Sequence, residues 1–348
     1  MELKIREHII DHRHPVFIIA ELSANHLQDF NIALETIKSI KEAGADAVKF
    51  QTYTPDTMTL NSEEEFFRIK QGTLWDGRTL YQLYQEAYTP WEWQPELKNI
   101  AEGLGLICFS SPFDKTAVDF LEEMDVPAYK VASFEITDLP LIEYIASKGK
   151  PVIISTGIAT LSDIEEALAA CRRAGNNRIA LLKCTSEYPT PLEEVNLLTI
   201  PDLARQFHCV VGLSDHTISL SVPVAAVALG ARIIEKHFIL ERNLGGPDSA
   251  FSLEPDEFKA MVKSVRETEK ALGEVKYELT EKIKKSRDFS RSLFVVKDIK
   301  AGAIFTDFNI RSIRPGFGLA PKYFKDILGR KAKKDIKKGM PLSWDLIE

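Results

Sequence analysis

Residues 210–216 read VVGLSDH and residues 232–238 read RIIEKHF, two short runs that stay largely apolar and then end on polar groups. Six earlier runs share that form: VFIIAE at 16–21, AVKFQ at 47–51, LICFSS at 106–111, AYKVAS at 128–133, VIIST at 152–156 and IALLKCTS at 179–186. Near-continuous apolar character marks strands covered on both faces, as in a parallel sheet. The stretches between them, such as 32–43, 91–104, 162–174 and 222–229, have the amphipathic spacing of helices. Ser162, with Thr160 just before it, reads as the cap of one of these helices. Eight alternating units between residues 16 and 238 predict an α/β fold, a closed (β/α)8 TIM barrel. A doubly wound open sheet is the rival, but no GxGxxG motif or P-loop follows any of the runs.

Two segments do not fit a plain barrel. The connection at 52–88, containing TLWDGRTLYQLYQEAY, is too long for a βα loop and is expected to fold over the mouth as a helical cover. Residues 4–15 are expected to form a hairpin plugging the other end. After a helix at 256–272 the pattern changes to short strands and glycines. Within this tail KDIKAGAIFTDFNI at 297–310 is echoed by KDIKKGMPLSWDLI at 334–347, which suggests a small all-β domain with pseudo-two-fold symmetry. The boundaries drawn from these changes are a barrel at 1–273, a charged linker at 274–286 and the small domain at 287–348.

Composition narrows the partners. The chain has 348 residues, 45% of them hydrophobic and 27% charged, with a net charge of −7. That balance argues against nucleic acid as a partner. The basic region 322–338 is interrupted by Asp326 and Asp335 and reads as solvated surface. No apolar run is long enough to span a bilayer and no signal-peptide pattern opens the chain, so a cytoplasmic location is expected. Cys108, Cys171, Cys184 and Cys209 form no CxxC pair, and neither disulfides nor a zinc–cysteine site is expected.

In a closed barrel the active site lies at the C-terminal ends of the strands. All eight runs end on polar or ionisable groups, among them Glu21, Lys49 with Gln51, Ser111, Lys130 with Ser133 and Glu135, and Ser155. Lys183 to Ser186, Ser214 to His216 and Glu235 to His237 complete the ring. Two lysines inside apolar runs call for an anionic ligand, and serines 111, 133, 155, 186 and 214 add donors for its oxygens. The competing use of such a lysine is as a Schiff-base nucleophile. His216 and His237 end neighbouring strands and are placed to chelate one divalent ion, with Glu21 and Asp215 nearby in the ring. Most other histidines read as surface residues, with His26 kept as a mouth candidate.

Ordered along the chain are IAELSANH at 19–26, KFQTYTPD at 49–56, AYKVASFE at 128–135, STGIAT at 155–160, KCTSEYPTP at 183–191, GLSDHT at 212–217, EKHF at 235–238 and GPD at 246–248. In these motifs the chain resembles the bacterial sialic acid synthase family over essentially its full length. RPGFGL at 314–319 resembles that family's antifreeze-like (SAF) domain. Within the family, QTYTPDTMTLNS and LWDGRTLYQLYQEAYTP are most similar to the pseudaminic acid synthase subgroup. That subgroup condenses phosphoenolpyruvate with 2,4-diacetamido-2,4,6-trideoxy-L-altrose and releases phosphate. The resemblance implies a phosphoenolpyruvate site at Lys49, Ser111, Lys130, Ser133, Ser186 and Ser214, with Ser155 beside it. It implies metal ligands at His216 and His237, for manganese, cobalt or magnesium, and a catalytic carboxylate at Glu21. Sugar contacts fall on Gln51, Glu135, Tyr188 and Asp248, with Arg314 supplied from the tail in a domain-swapped homodimer. Ser186 stands where sialic acid synthases have asparagine, which counts against N-acetylmannosamine as the acceptor. Legionaminic or N-acetylneuraminic acid synthesis is the nearest alternative, and a non-enzymatic carbohydrate- or ice-binding protein is the alternative of another class.

Overall fold

A computed structural model describes residues 1–70 and 72–348, which separate into two compact units, Met1–Gly273 and Glu274–Glu348. The first is a closed barrel of eight parallel strands. In chain order they are β3 (Phe17–Glu21), β4 (Ala47–Thr52), β5 (Ile107–Pro112), β6 (Tyr129–Val131), β7 (Val152–Ser155), β8 (Ile179–Cys184), β9 (Val210–Asp215) and β10 (Ile233–His237), and β10 pairs with β3 to close the ring. Six of the eight are buried at every residue and β4 and β8 at all but one, which is why they read as unbroken apolar runs.

Helices follow most strands and pack one face on them. α1 (Phe30–Glu42) starts at Asp29, whose carboxylate accepts from Asn31 N at 2.7 Å, and buries Ala33, Ile37 and Ile40. α4 (Gln94–Gly103), α5 (Lys115–Glu123), α6 (Leu139–Ser147), α7 (Leu161–Arg173), α8 (Thr199–Phe207), α9 (Ser221–Ala228) and α10 (Pro255–Leu272) continue the outer layer. The cap of α7 is Thr160, not Ser162. Its hydroxyl accepts from Asp163 N at 3.3 Å while Asp163 accepts from Thr160 N at 2.7 Å, a reciprocal box that leaves Ser162 inside the first turn.

The barrel interior is packed rather than open. Gly212 on β9 shows why: a Cβ there would sit 2.7 Å from both Leu182 and Ile233, so the missing side chain lets its neighbours meet. Below, β1 (Leu3–Ile5) and β2 (His8–Ile10) form an antiparallel hairpin whose Leu3, Ile5 and Ile10 join the barrel core. Above, the 52–88 connection is less helical than its length suggested. Among its described residues it holds α2 (Pro55–Met58) and α3 (Leu80–Ala87), one 3-10 turn and otherwise irregular chain.

The second unit begins with a short helix, α11 (Glu281–Ser286), inside the stretch read from sequence as a linker. β11 (Ser292–Val295) pairs with β12 (Ile310–Ile313), and a four-residue helix, α12 (Phe324–Ile327), follows. The two echoed segments meet residue for residue. Ile299 and Ile336 exchange both backbone hydrogen bonds, at 2.9 and 2.8 Å. Asp298 accepts from Lys338 N at 2.7 Å, and Asp335, its counterpart, accepts from Ala301 N at 2.8 Å. A local two-fold axis therefore passes between the copies.

Candidate active site

A cavity of about 230 Å³ opens at the C-terminal ends of the barrel strands. Side chains on a strand alternate faces, so on β10 Glu235 and His237 point inward while Lys236 points out. The same parity on β9 turns Ser214 inward and Asp215 outward. Asp215 and Lys236 meet behind the sheet at 2.7 Å, fully buried. Asp215 thus takes no part in the mouth, contrary to its reading as a neighbour of the metal ligands.

Lys49, Lys130 and Glu235 line the cavity floor, and Glu21, buried against Lys49 without lining the cavity itself, completes an alternation of two lysines with two carboxylates. Lys49 Nζ lies 2.6 Å from Glu21 and 3.4 Å from Glu235, and Lys130 Nζ lies 3.9 Å from Glu235. Lys49 also donates to Ser111 Oγ at 3.4 Å, Lys130 to Ser155 Oγ at 2.6 Å, and Ser214 to Glu235 at 2.8 Å. Burial raises the Glu21 carboxyl above its ordinary range, with Glu235 adding to the rise and Lys49 opposing it. Burial would raise Glu235 too, but Lys130 and Lys49 outweigh it and hold Glu235 ionised. Lys49 stays charged, because its two carboxylate partners overcome the cost of burial. A Schiff-base nucleophile must shed that proton, so Lys49 is poorly suited to the role. Burial lowers Lys130.

His216 and His237 face one another across 5.3 Å between ring centroids. The Thr185 carbonyl, 2.9 Å from His216 Nδ1, can only accept, so Nδ1 carries a proton and Nε2 is the nitrogen turned to any ligand. Burial and the charge of the neighbouring His216 drive His237 well below its ordinary pKa, keeping it neutral, and its buried Nδ1 has no hydrogen-bond partner. Among the described residues no cluster of three or more His, Cys, Asp or Glu has metal-binding geometry. Burial lowers His216, but Cys184 and the Thr185 carbonyl outweigh it and raise its pKa, so His216 binds a ligand at Nε2 only after giving up a proton there, while His237 already offers a free Nδ1. The pair, beside a floor of lysines and carboxylates, fits a divalent ion that completes its shell with water or substrate oxygens.

The other expected residues are distributed as follows. Ser133 Oγ accepts from Gly157 N at 3.1 Å, and a Cβ on Gly157 would lie 2.7 Å from that hydroxyl, so the backbone there is crowded against Ser133 and Ser186. Ser186 Oγ is buried and unpartnered. Gln51 donates to Ser23 Oγ at 2.9 Å, and Ser23 in turn bonds Asp248. Tyr188 packs on His216, Phe251 and Trp75, at 4.5, 5.0 and 5.5 Å between centroids. Glu135 lines the cavity with Oε2 unpartnered, its carboxyl pushed up to about 7 by burial. Arg314 lies in the second unit, immediately after β12. His26 is no mouth residue. It is buried against Trp93, and its Nδ1 accepts from Gln28 N at 3.1 Å while Nε2 meets Thr89 at 3.1 Å.

Glu235 is in the ring of polar strand ends read from the sequence but has no role assigned there, although its strand parity with His237 points it inward. Several other lining residues have no counterpart in that ring. Cys184 also faces inward. Burial would raise its thiol, but His216, 3.9 Å away, draws it down to about 7. Ser23, Trp75 and Phe251 lie on loops, and Tyr53, Met58, Tyr84 and Phe113 form an apolar side wall. No residue-type signal marks these, because apolar residues in connections look like packing.

Fold and mouth together define a (β/α)8-barrel enzyme with an anion-binding, histidine-paired active site. The chain belongs to the NeuB family, which it matches over residues 36–277, and residues 290–348 match the SAF domain. It is 52% identical to the pseudaminic acid synthase of Campylobacter jejuni, covering 93% of this chain and 94% of that one. The pseudaminic acid synthase of Helicobacter pylori is likewise 52% identical, covering 96% and 98%. Among solved structures, the N-acetylneuraminic acid synthetase of Leptospira borgpetersenii, in complex with citrate, superposes with a TM-score of 0.74 at 32% identity, covering 82% of this chain and 95% of that one. No helix among the described residues is long and apolar enough to cross a membrane.

Proposed function

We propose that this enzyme makes pseudaminic acid, condensing phosphoenolpyruvate with 2,4-diacetamido-2,4,6-trideoxy-L-altrose and water and releasing phosphate. The observation that carries the reading is the buried Lys49–Glu21–Glu235–Lys130 cluster beside two facing imidazoles, in a chain half identical to two pseudaminic acid synthases. Lys49 and Lys130 hold the phosphate and carboxylate of phosphoenolpyruvate, and Ser111, Ser133, Ser155, Ser186 and Ser214 donate to their oxygens. Gln51, Glu135, Tyr188 and Asp248 orient the open-chain sugar, so that its aldehyde carbon faces C3 of phosphoenolpyruvate. His216 and His237 would hold a divalent ion, which supplies Lewis-acid polarisation of a carbonyl oxygen when bound.

The new C–C bond joins C3 to the aldehyde carbon as the C2–C3 and carbonyl π bonds open, leaving C2 electron-poor and the aldehyde oxygen an alkoxide that takes a proton to become a hydroxyl. Water adds at C2, and Glu21, whose burial raises its affinity for a proton, takes the proton released there. The C2–O bond to phosphate then breaks, and Lys49 and Lys130 stabilise the leaving group. In 18O-labelled water the label is expected in the sugar acid; label in phosphate would overturn C–O cleavage. Phosphate release with three acceptors assayed in parallel tests the assignment: the altrose derivative, the legionaminic acid precursor and N-acetylmannosamine. The altrose derivative should be used best. A domain-swapped homodimer, in which one protomer supplies Arg314 to its partner's mouth, belongs to the same proposal. Sedimentation should then give a dimer, and Arg314→Ala should lose acceptor turnover.

A further inference from the structure

The cavity has two unlike surfaces, and the proposed chemistry uses only one. Opposite the charged floor stands a wall of Tyr53, Met58, Leu83, Tyr84 and Phe113, carried by the end of β4, by α2, by α3 and by the loop after β5. It is a packed surface. The Tyr53 ring meets Tyr84 edge-on at 5.7 Å and Phe113 at 5.2 Å. Burial raises both phenols, so the wall stays uncharged. Glu135, whose Oε2 is buried and unpartnered, lies within electrostatic reach of Tyr84, at the seam between wall and floor.

Phosphoenolpyruvate is an anion at both ends and gains nothing from such a wall, so the wall belongs to the second substrate. A hydroxyl against it would lose hydration without a partner. An acetamido group suits the seam, offering an N–H to the free carboxylate oxygen and a methyl to the aromatic surface beside it. A deoxy carbon offers a second methyl.

We propose that the wall formed by Tyr53, Met58, Leu83, Tyr84 and Phe113 selects the acceptor sugar, accepting methyl-bearing acetamido and deoxy positions and rejecting hydroxyls there. This rests on the phosphoenolpyruvate-condensing reading above. Discrimination of this kind is worth about 10- to 200-fold per methyl-sized group in an apolar pocket.

The test compares kcat/KM for 2,4-diacetamido-2,4,6-trideoxy-L-altrose with that for N-acetylmannosamine at saturating phosphoenolpyruvate. The unmodified enzyme should prefer the first. Met58→Gln changes a half-buried side chain to a polar one of equal length and should lower the preference about tenfold. Phe113→Leu, which keeps the wall apolar but removes a ring, should lower it less. An unchanged preference in both folded variants overturns the proposal. So does an unmodified enzyme that favours N-acetylmannosamine, an outcome that leaves the condensation chemistry standing. Turnover of neither sugar overturns the condensation reading itself.

Discussion

The two ends of the barrel are built by opposite rules. Where the strands begin, polar groups are paired. Arg266 reaches Val16 O at 2.8 Å and Asp46 at 3.0 Å, Asp46 accepts from Ile18 N at 2.8 Å, and the hairpin's Leu3, Ile5 and Ile10 seal the floor beneath. Where the strands end, the pairing stops. Every buried side-chain atom lacking a hydrogen-bond partner among the described residues belongs to Glu21, Asn25, Glu135, Ser186, Glu235 or His237, all on the mouth side, and of these Glu21 and Glu235 still keep an ion pair with Lys49. Each atom with neither kind of partner costs about 1–3 kcal/mol. The mouth is where binding capacity is kept at the expense of stability, and the bottom is where stability is kept.

Removing His237 should break the contrast most sharply if the contrast is wrong. His237→Ala is expected to lower kcat on the order of 100- to 1000-fold with no fall in the thermal midpoint, because a neutral, unpartnered ring is lost. A marked fall in the midpoint would make the mouth structural. At the opposite end, Ile5→Ala should cost about 2–4 kcal/mol in denaturant unfolding while kcat per folded molecule stays within about twofold.

Acidity separates the ends further. Glu135 is raised from 4.5 to about 7 by burial, so the folded chain keeps a proton that the unfolded chain has released. Stability should therefore be greatest below pH 4.5 as far as this group is concerned. It should fall as pH rises to about 7 and level off above, a loss of roughly 3 kcal/mol or slightly more that Glu135→Gln abolishes. An unaltered slope in that variant would show that Glu135 is not the source. The smallest effect is expected at the exposed Arg6–Asp125 pair, 3.4 Å apart beside the hairpin. Arg6→Ala should change stability by less than about 1 kcal/mol, confirming that the apolar plug rather than its charged rim holds that end.

Much of this was legible in the residues. Eight apolar runs ending in polar groups lead to eight barrel strands, because strands covered on both faces admit little else. Lys49, Lys130, His216 and His237 stood out as ionisable groups in apolar surroundings, and the cavity gathers all four. The errors came from reading strand ends as blocks. SDH and EKH each place two side chains inside and one outside, so Asp215 does not belong beside the metal ligands and Glu235, part of the ring, is left without a role. His26 looked like a mouth residue because it follows a strand, but Thr89 and Trp93, distant in sequence, enclose it. The apolar wall was illegible for a similar reason: Tyr53, Met58, Tyr84 and Phe113 converge only after the 52–88 connection folds.

The reciprocal contact in the second unit has a consequence for how that unit comes into being. Asp298 closes the turn after Ile336, and Asp335 closes the turn after Ile299, so neither copy can finish its own backbone. An isolated half-repeat has no reason to hold a shape. The chain must bring segments 34 to 40 residues apart together before either turn is rewarded, and the unit is expected to assemble all at once. A nascent chain emerging from its N-terminus would therefore hold the first copy unformed until the second has been synthesised.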